Sequence, residues 1–167
     1  MKAFRQNPEE LEEFINFMED DLKNVERVLG ELIDEEVEFM VHAKSETVEE
    51  SAKNTDMSEG NIIKTLIFIG ENPVAVLCPG DTSVSENKLE EIIGSEVRMA
   101  RPEEVKETTG YIVGGVSPFN LDIPVYASEK IPEGEVRPAG GSRVIGVKID
   151  REELFEVVGP EVVGITE

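Results

Sequence analysis

The sequence predicts an α+β fold in which a mixed β-sheet, curled towards a barrel, is flanked by helices. Two observations support this class. Short apolar segments with strand character alternate with amphipathic helical segments along the chain, as in sheets that are covered by helices. Some neighbouring strands are joined by tight turn signals and others by helical crossovers, so we expect both antiparallel and parallel pairs rather than a doubly wound parallel sheet.

The first segment is an acidic amphipathic helix or pair of helices. Asn7 is the predicted N-cap and Pro8 the first helical residue, and apolar residues then recur at helical spacing. We expect residues 1–35 to pack through this apolar stripe on a core formed by residues 36–167, within one domain that spans 1–167. Binding of a partner by the stripe is the less favoured alternative.

Strands and helices alternate along the rest of the chain. The segment from Gly70 to Pro73 has the composition of a hairpin turn. Gly94 and Gly110 are expected to end their helices, because glycine is common just after a helix C-terminus. The predicted strands are 36–42, 62–69, 73–78, 97–100, 124–127 and 144–149, and the predicted helices after the first segment are 45–53, 85–93, 102–108 and 151–157.

Length and composition fit one domain with a sizeable core, since the chain has 167 residues of which 39% are hydrophobic. The sequence contains neither a membrane-spanning run nor a leader pattern, so we expect a soluble cytoplasmic protein that does not bind membranes. Cys78 is the only cysteine, which excludes an internal disulfide and predicts a small buried apolar residue. With a single histidine in the chain, we predict no metal site and no cofactor.

The net charge of −21 argues against a large nucleic-acid interface. Phosphate backbones bind clusters of lysine and arginine, whereas this chain has 16 basic and 37 acidic residues. DNA is therefore not an expected partner. Arg98, Arg101 and Lys106 form the one small basic group, so a nucleic acid would be gripped mainly at one end or presented by a partner protein.

Lys64 is the most unusual residue, because it lies within an apolar run, 61–69, that predicts a buried strand. Alternation along the strand places it on the face of Ile62 and Leu66. Burial of an ammonium group is costly without a partner. Lys64 therefore either belongs to an edge strand or extends to solvent, or it faces a cleft that binds an anion. The run alone slightly favours the structural explanation.

Two glycine pairs follow Lys64 along the chain. Gly114 and Gly115 free the backbone for positive φ and for close approach to a ligand, while Pro118 stiffens the end of their loop. Consecutive N–H groups in such a loop can bind an anion or a carbonyl oxygen. Gly140 and Gly141 precede a predicted strand. Taken alone, each pair is also compatible with an ordinary tight turn.

Five motifs occur in a fixed order along residues 37–165: Ile-Lys-Thr-Leu at 63–66, Cys-Pro-Gly-Asp at 78–81, Ala-Arg-Pro-Glu-Glu-Val at 100–105, Thr-Gly-Tyr-Ile-Val-Gly-Gly-Val-Ser-Pro at 109–118 and Ala-Gly-Gly at 139–141. This order resembles the YbaK and prolyl-tRNA synthetase editing-domain family. The resemblance implies the fold of that family and a trans-editing aminoacyl-tRNA deacylase, which hydrolyses the ester of mischarged tRNA. It also implies the tRNA acceptor end and an aminoacyl-tRNA synthetase as partners.

The resemblance further implies roles for individual residues. Lys64 would fix the ester near the terminal phosphate or ribose, and N–H groups of the 114–118 loop, that of Gly115 among them, would stabilise the charge that develops on the carbonyl oxygen. Lys64 and Gly115 are therefore the predicted catalytic residues. The predicted substrate-binding residues are His42, Lys44, Thr65, Gly114, Val116, Ser117, Pro118, Phe119, Gly140 and Gly141.

Two positions depart from the family pattern. Ala139 stands where family members commonly have a serine or histidine, and Gly146 stands where they commonly have an aspartate. The departures leave a second hypothesis open, a noncatalytic relative that binds a tRNA end, a nucleotide or a synthetase. They also leave the edited amino acid undetermined. An unrelated small-molecule binding domain is a third hypothesis, which the ordered motifs disfavour.

Overall fold

The computed structural model describes residues 8–41 and 58–167. Its helices are α1 (Pro8–Leu32), α2 (Glu86–Ile93), α3 (Pro102–Thr109) and α4 (Arg151–Val158). Its strands are β1 (Glu38–Val41), β2 (Ile62–Ile69), β3 (Pro73–Pro79), β4 (Arg98–Met99), β5 (Val125–Ser128), β6 (Glu135–Ser142), β7 (Ile145–Asp150) and β8 (Glu161–Val163). None of the described helices is long and apolar enough to span a bilayer.

The strands form one mixed sheet in the order β1-β7-β6-β2-β3-β5-β8, with β4 paired to β2. The β1–β7, β7–β6, β2–β3 and β2–β4 pairs are antiparallel, whereas β6–β2, β3–β5 and β5–β8 are parallel. The predicted mixed α+β class is therefore confirmed. Within the described residues the sheet stays open, because β1 and β8 lie at opposite ends of the order.

Strand β2 is only partly paired on the side that faces β6 and β4. It pairs with β6 at Ile62 and Ile63, and with β4 at Phe68 and Ile69. Between these contacts β6 diverges towards β7. The middle of β2, residues 64–66, therefore has an open edge, and this edge lies next to a cavity of about 500 Å³.

Buried apolar residues cover both faces of β2 and β3. One cluster packs α1, α4 and the segment that follows α3 on the face of Ile63 and Leu77. A second cluster packs α2 through Leu89 on the opposite face, next to Phe68 and Val76. The open edge of β2 thus lies between two packed layers.

Local sequence signals correctly predicted most of these elements. The hairpin of β2 and β3 forms as predicted, and Gly94 and Gly110 end α2 and α3 in the left-handed conformation. The N-terminal segment is one helix as far as Leu32. The predicted cap Asn7 and helix 45–53 lie outside the described residues.

Two strands were not predicted. Strand β6 contains Pro138, Gly140 and Gly141, whose composition had indicated a turn, and the short strand β8 had no clear signal. In the structure the glycines lie where the register of β6 and β7 shifts between Ala139 and Ser142. The predicted turn is thus an irregular part of a strand.

Candidate active site

A cavity of about 500 Å³ lies along the open edge of β2. Residues of β2, β4, α3, β6, β7 and the 113–116 loop form its walls, which are mostly apolar. Four of the predicted site residues line it: Lys64, Thr65, Gly114 and Val116. Because the cavity lies at an edge of β2, neighbouring residues from both faces of the strand reach it. Thr65 therefore lines the same cavity as Lys64. Alternation alone does not predict this, because neighbouring residues of an ideal strand point to opposite faces.

The half-buried Lys64 ammonium donates a hydrogen bond to the carbonyl of Thr82, in the segment after β3. Among the described residues no carboxylate forms an ion pair with it. Cys78 lies opposite Lys64 on β3 and is completely buried. Burial raises the pKa of the Cys78 thiol, an effect that the Lys64 charge and a hydrogen bond with Thr82 partly offset. The positive charge of Lys64 is thus held by a neutral carbonyl and is not neutralised within the described chain.

The Thr65 hydroxyl is buried without a partner. Its side chain is 7% exposed, and its Oγ1 atom has no hydrogen bond to any described residue. A buried hydroxyl that lacks a hydrogen bond raises the free energy of the folded protein. A ligand in the cavity that supplies a donor or an acceptor would remove this penalty.

The glycine loop contributes backbone groups to the opposite wall. Gly114 adopts φ of +94°, which favours glycine. The N–H of Gly115 donates to the carbonyl of Ile112 at 2.9 Å, so this amide is already used within the loop. The N–H groups of Gly114 and Val116, unlike that of Gly115, have no acceptor in the described chain.

Gly115 has a packing role instead. A Cβ atom at this position would lie 3.0 Å from the carbonyl carbon of Ser142, at the end of β6. The loop can therefore approach the end of β6 closely only because residue 115 lacks a side chain. Gly115 stays a predicted catalytic residue, but its contribution would come through the placement of its neighbours.

The residues that follow the glycines hold the loop in place. The Tyr111 hydroxyl donates to the carbonyl of Phe119 at 2.7 Å and so joins the two ends of the loop. Ser117 and Phe119 are completely buried. Neither they nor Pro118 line the cavity. Their predicted role in substrate binding stays a prediction. Their contacts in the structure stabilise the conformation of the loop.

Helix α1 supports the same loop from outside. The Asn24 side chain donates to the carbonyl of Gly110 at 3.1 Å, and the Arg27 guanidinium donates to the carbonyls of Thr109 and Asn120, both at 2.9 Å. The same guanidinium lies 4.4 Å from the centre of the Tyr111 ring. One face of α1 thus fixes both ends of the loop.

The second glycine pair also faces α1 and β7 rather than the cavity. Gly141 has φ of +97°, and a Cβ atom there would lie 2.8 Å from the backbone of Asn24. A Cβ atom at Gly140 would lie 2.8 Å from the side chain of Ile145. The flanking residues Ala139 and Ser142 line the cavity instead. The predicted substrate contacts of His42 and Lys44 fall outside the described residues.

Sequence reasoning missed Arg137, which lines the cavity from β6. Its side chain is 3% exposed, and its Nε and Nη1 atoms have no hydrogen-bond acceptor among the described residues. Burial lowers the pKa of the guanidinium, and the nearby Glu135 partly opposes this effect. A charged residue between Val136 and Pro138 is the same kind of signal as Lys64. It was overlooked because the adjacent proline and glycines indicated a turn.

Comparisons with known proteins place the chain among relatives of known family. A sequence model of the aminoacyl-tRNA editing domain family matches residues 42–154. The uncharacterised protein YwhH of Bacillus subtilis is 36% identical over 117 residues, which cover 67% of this chain and 74% of YwhH. The candidate Cys-tRNA(Pro)/Cys-tRNA(Cys) deacylase EbsC of Enterococcus faecalis is 27% identical over 137 residues, 78% of this chain and 84% of EbsC.

A solved structure has the same fold. It belongs to a candidate trans-editing enzyme for prolyl-tRNA synthetase and superposes with a TM-score of 0.79 at 30% identity, over 86% of this chain and 97% of the other. The family model covers more than half of the chain and includes every residue that lines the cavity. The chain therefore belongs to the aminoacyl-tRNA editing domain family, which confirms the family and the class of function that its ordered motifs predicted.

Proposed function

We propose that this protein is a free-standing trans-editing deacylase that hydrolyses the ester of mischarged aminoacyl-tRNA, with the ester held in the cavity along β2. The observation that carries this proposal is that Lys64, Gly114 and Val116 line one cavity, while the N–H groups of Gly114 and Val116 have no acceptor in the described chain. A cation and rigid N–H donors around an apolar cavity suit an uncharged ester that develops negative charge during reaction.

The reaction adds water to the ester carbonyl carbon. The carbonyl oxygen becomes negatively charged as the new carbon–oxygen bond forms. The bond to the ribose oxygen then breaks, that oxygen takes up a proton, and the products are a free amino acid and a tRNA with a free terminal hydroxyl. Donors that already point to the developing oxyanion lower the barrier, because they need no reorganisation during the reaction.

Each wall of the cavity has one part in this scheme. The Gly114 and Val116 N–H groups would receive the oxyanion from the loop side. Lys64 would bind the terminal phosphate or ribose from the strand side, and exchange its present acceptor, the Thr82 carbonyl, for the substrate. Thr65 would supply a hydrogen bond to the same substrate. Lys64 is thus a positioning group for the ester rather than the sole catalyst.

The surface charge favours binding of the acceptor end alone. Arg98 and Arg101, which sequence analysis grouped as a small basic patch, form ion pairs with Glu104 at 2.8 and 3.2 Å. Their charge is therefore largely compensated and offers little to an RNA backbone. We infer that a partner, such as an aminoacyl-tRNA synthetase, presents the tRNA.

Single-turnover deacylation of a panel of misacylated tRNAs tests the proposal. We expect at least one substrate to be cleaved faster than in buffer, and Lys64→Ala to slow that cleavage by at least about tenfold, since a hydrogen bond to a charged group contributes roughly 1.5–3 kcal/mol. Lys88→Ala is the matched control. Its ammonium also donates to a backbone carbonyl, that of Thr166 at 2.9 Å, but it lies away from the cavity.

Two results would contradict this proposal. If no substrate in the panel is cleaved faster than in buffer, the enzyme assignment fails. If Lys64→Ala cleaves as fast as the wild type, the protein can still be a deacylase but Lys64 has no part in it.

A second candidate function is noncatalytic binding of an aminoacylated RNA end. It is favoured by the absence of polar side chains at Ala139 and Gly146, which line the cavity. It is also favoured by the hydrogen bond that the Lys64 ammonium already donates to the Thr82 carbonyl. Tight binding of a nonhydrolysable aminoacyl-adenosine, together with no cleavage of the matching ester, would identify this alternative.

A further inference from the structure

Arg137 is a buried cation whose charge the nearby Glu135 offsets only in part. Only 3% of the residue is exposed, and no described carboxylate forms an ion pair with its guanidinium. Two of its three nitrogen atoms, Nε and Nη1, are buried without an acceptor in the described chain. Buried charges in proteins are normally paired, because removal of a charge from water is costly. Arg137 is thus a strong hydrogen-bond donor that has no acceptor for two of its nitrogen atoms among the described residues.

The neighbouring strand makes room for this side chain. A Cβ atom at Gly146 would lie 2.9 Å from Cδ of Arg137, so any larger residue at 146 would displace the arginine. Both residues line the cavity. Gly146, which departs from the family pattern, is therefore the residue that allows a buried arginine at this wall.

Arg137 is almost completely buried, which limits the parts of a substrate that can reach its guanidinium. The phosphates of RNA are strongly hydrated and lie on the outside of the strand, so they suit cations at the mouth of a cavity. The part of the substrate that extends furthest from the RNA chain is the aminoacyl side chain. A planar guanidinium binds a carboxylate through two parallel hydrogen bonds.

We propose that Arg137 binds the carboxylate of the aminoacyl side chain, so that the cavity selects tRNA esterified with an acidic amino acid. This inference rests on the proposed function, because it assumes that the aminoacyl ester occupies the cavity. Arg137 is then a specificity residue, and the bound carboxylate supplies the charge that the apo protein lacks.

The test measures binding with two isosteric ligands. Nonhydrolysable 3′-aminoacylamino-3′-deoxyadenosines with aspartyl and asparaginyl groups differ by one charge but have nearly the same shape. By calorimetry, we expect the wild type to bind the aspartyl compound at least about tenfold more tightly, and Arg137→Met to bind both equally. Lys148→Met is the control. Lys148 is a nearby cation of β7 that pairs with Glu135 at 3.5 Å and does not line the cavity, so its loss should leave the preference unchanged.

Three results would overturn the inference. One is equal affinity of the wild type for the two compounds. Another is an equal loss of affinity for both in Arg137→Met. A third is an effect of Arg137→Met only when the compounds carry a 5′-phosphate, which would assign the arginine to the RNA backbone. The preference is measured without turnover. Absence of hydrolysis would therefore contradict the proposed function and leave this inference standing, whereas hydrolysis of neutral esters alone would do the reverse.

Thermal unfolding provides a second readout. Burial of an unpaired charge is costly, and replacement by an apolar side chain of similar length removes that cost. We expect Arg137→Met to unfold at the same temperature as the wild type or higher. A lower unfolding temperature would show that the arginine stabilises the fold itself. It would contradict the inference that Arg137 serves ligand binding alone.

Discussion

The two walls of the cavity use their polar groups differently. On the loop wall, hydrogen bonds within the protein hold both ends of the loop, through Tyr111, Asn24 and Arg27. On the strand wall, Thr65 and Arg137 keep buried polar atoms without any described partner. The first wall is therefore held in place by its own hydrogen bonds and leaves only the backbone N–H groups of Gly114 and Val116 without a described acceptor, whereas the second wall leaves buried side-chain atoms without one.

This difference has a physical reason. Backbone donors can stabilise a developing charge only if they are rigid, and rigidity comes from hydrogen bonds and packing around them. Groups that recognise a substrate must instead leave their hydrogen-bonding capacity unused in the free protein. The loop wall thus contributes to stability, while the buried polar atoms of the strand wall that lack hydrogen bonds lower it.

The largest expected effect comes from the contact between β6 and α1, which supports the loop wall. Gly141→Ala should destabilise the protein by roughly 3 kcal/mol or more, because the added Cβ atom meets the Asn24 backbone and the residue has a positive φ. Chemical denaturation measures this loss. Gly134→Ala separates the two causes, since Gly134 has φ of +85° with open space around its Cβ position.

The control should lose only about 1 kcal/mol, the cost of the backbone conformation. If the two variants lose the same free energy of unfolding, the close approach of β6 to α1 does not support the fold, and the contrast between the walls weakens.

A pair of buried threonines compares the walls directly. Thr109 is 5% exposed, and its hydroxyl donates to the Val105 carbonyl at 2.8 Å and accepts from the N–H of Tyr111 at 3.1 Å. Thr109→Val should cost about 1–3 kcal/mol of unfolding free energy, because both partners lose a buried hydrogen bond. Thr65→Val removes a hydroxyl that makes none.

Thr65→Val should therefore leave stability within about 0.5 kcal/mol of the wild type or raise it, and should slow deacylation. Denaturation and single-turnover cleavage measure the two quantities for each variant. A large loss of stability in Thr65→Val would mean that its hydroxyl is satisfied within the fold, and would remove Thr65 from the strand wall as defined above.

The elements with local signals could be predicted from the sequence. Gly94 and Gly110 end their helices with φ of +84° and +81°, as a glycine after a helical pattern predicts. Gly70 and Pro73 likewise predicted the hairpin of β2 and β3. The order of the motifs predicted the family, and the apolar run around Lys64 singled out one wall of the cavity.

The remaining features depend on contacts between distant residues. Residue 141 lies against the backbone of Asn24, more than a hundred residues away, and a side chain there would collide with it. The sequence does not show this contact, so the glycine pair indicated only a turn. The Thr82 carbonyl that holds Lys64 belongs to a different segment, and the Ile112 carbonyl that occupies the Gly115 amide follows from the fold of the loop. Arg137 had the same pattern as Lys64, but its strand was not predicted.

The smallest expected effect concerns the rim of the cavity, where Arg98 of β4 holds Glu104 of α3. The two terminal guanidinium nitrogens of Arg98, Nη1 and Nη2, donate to the carboxylate at 2.8 and 2.9 Å, and the backbone N–H of Arg101 donates to it at 3.0 Å. These bonds, with that of Arg98 first, lower the pKa of Glu104 to about 2. In the unfolded chain a glutamate has a pKa of about 4.3.

The carboxylate therefore stabilises the fold fully above about pH 4.3, and this contribution is lost as the pH falls towards 2. Glu104→Gln should lower the unfolding temperature by a constant small amount from pH 5 to 8, and the difference should shrink below about pH 4. An NMR titration of the Glu104 carboxyl should give a midpoint near 2. A midpoint near the unfolded value would mean that the ion pair between β4 and α3 is absent in solution. The rim would then lack a polar contact between β4 and α3, and it would differ from the loop wall, whose polar groups bond to each other.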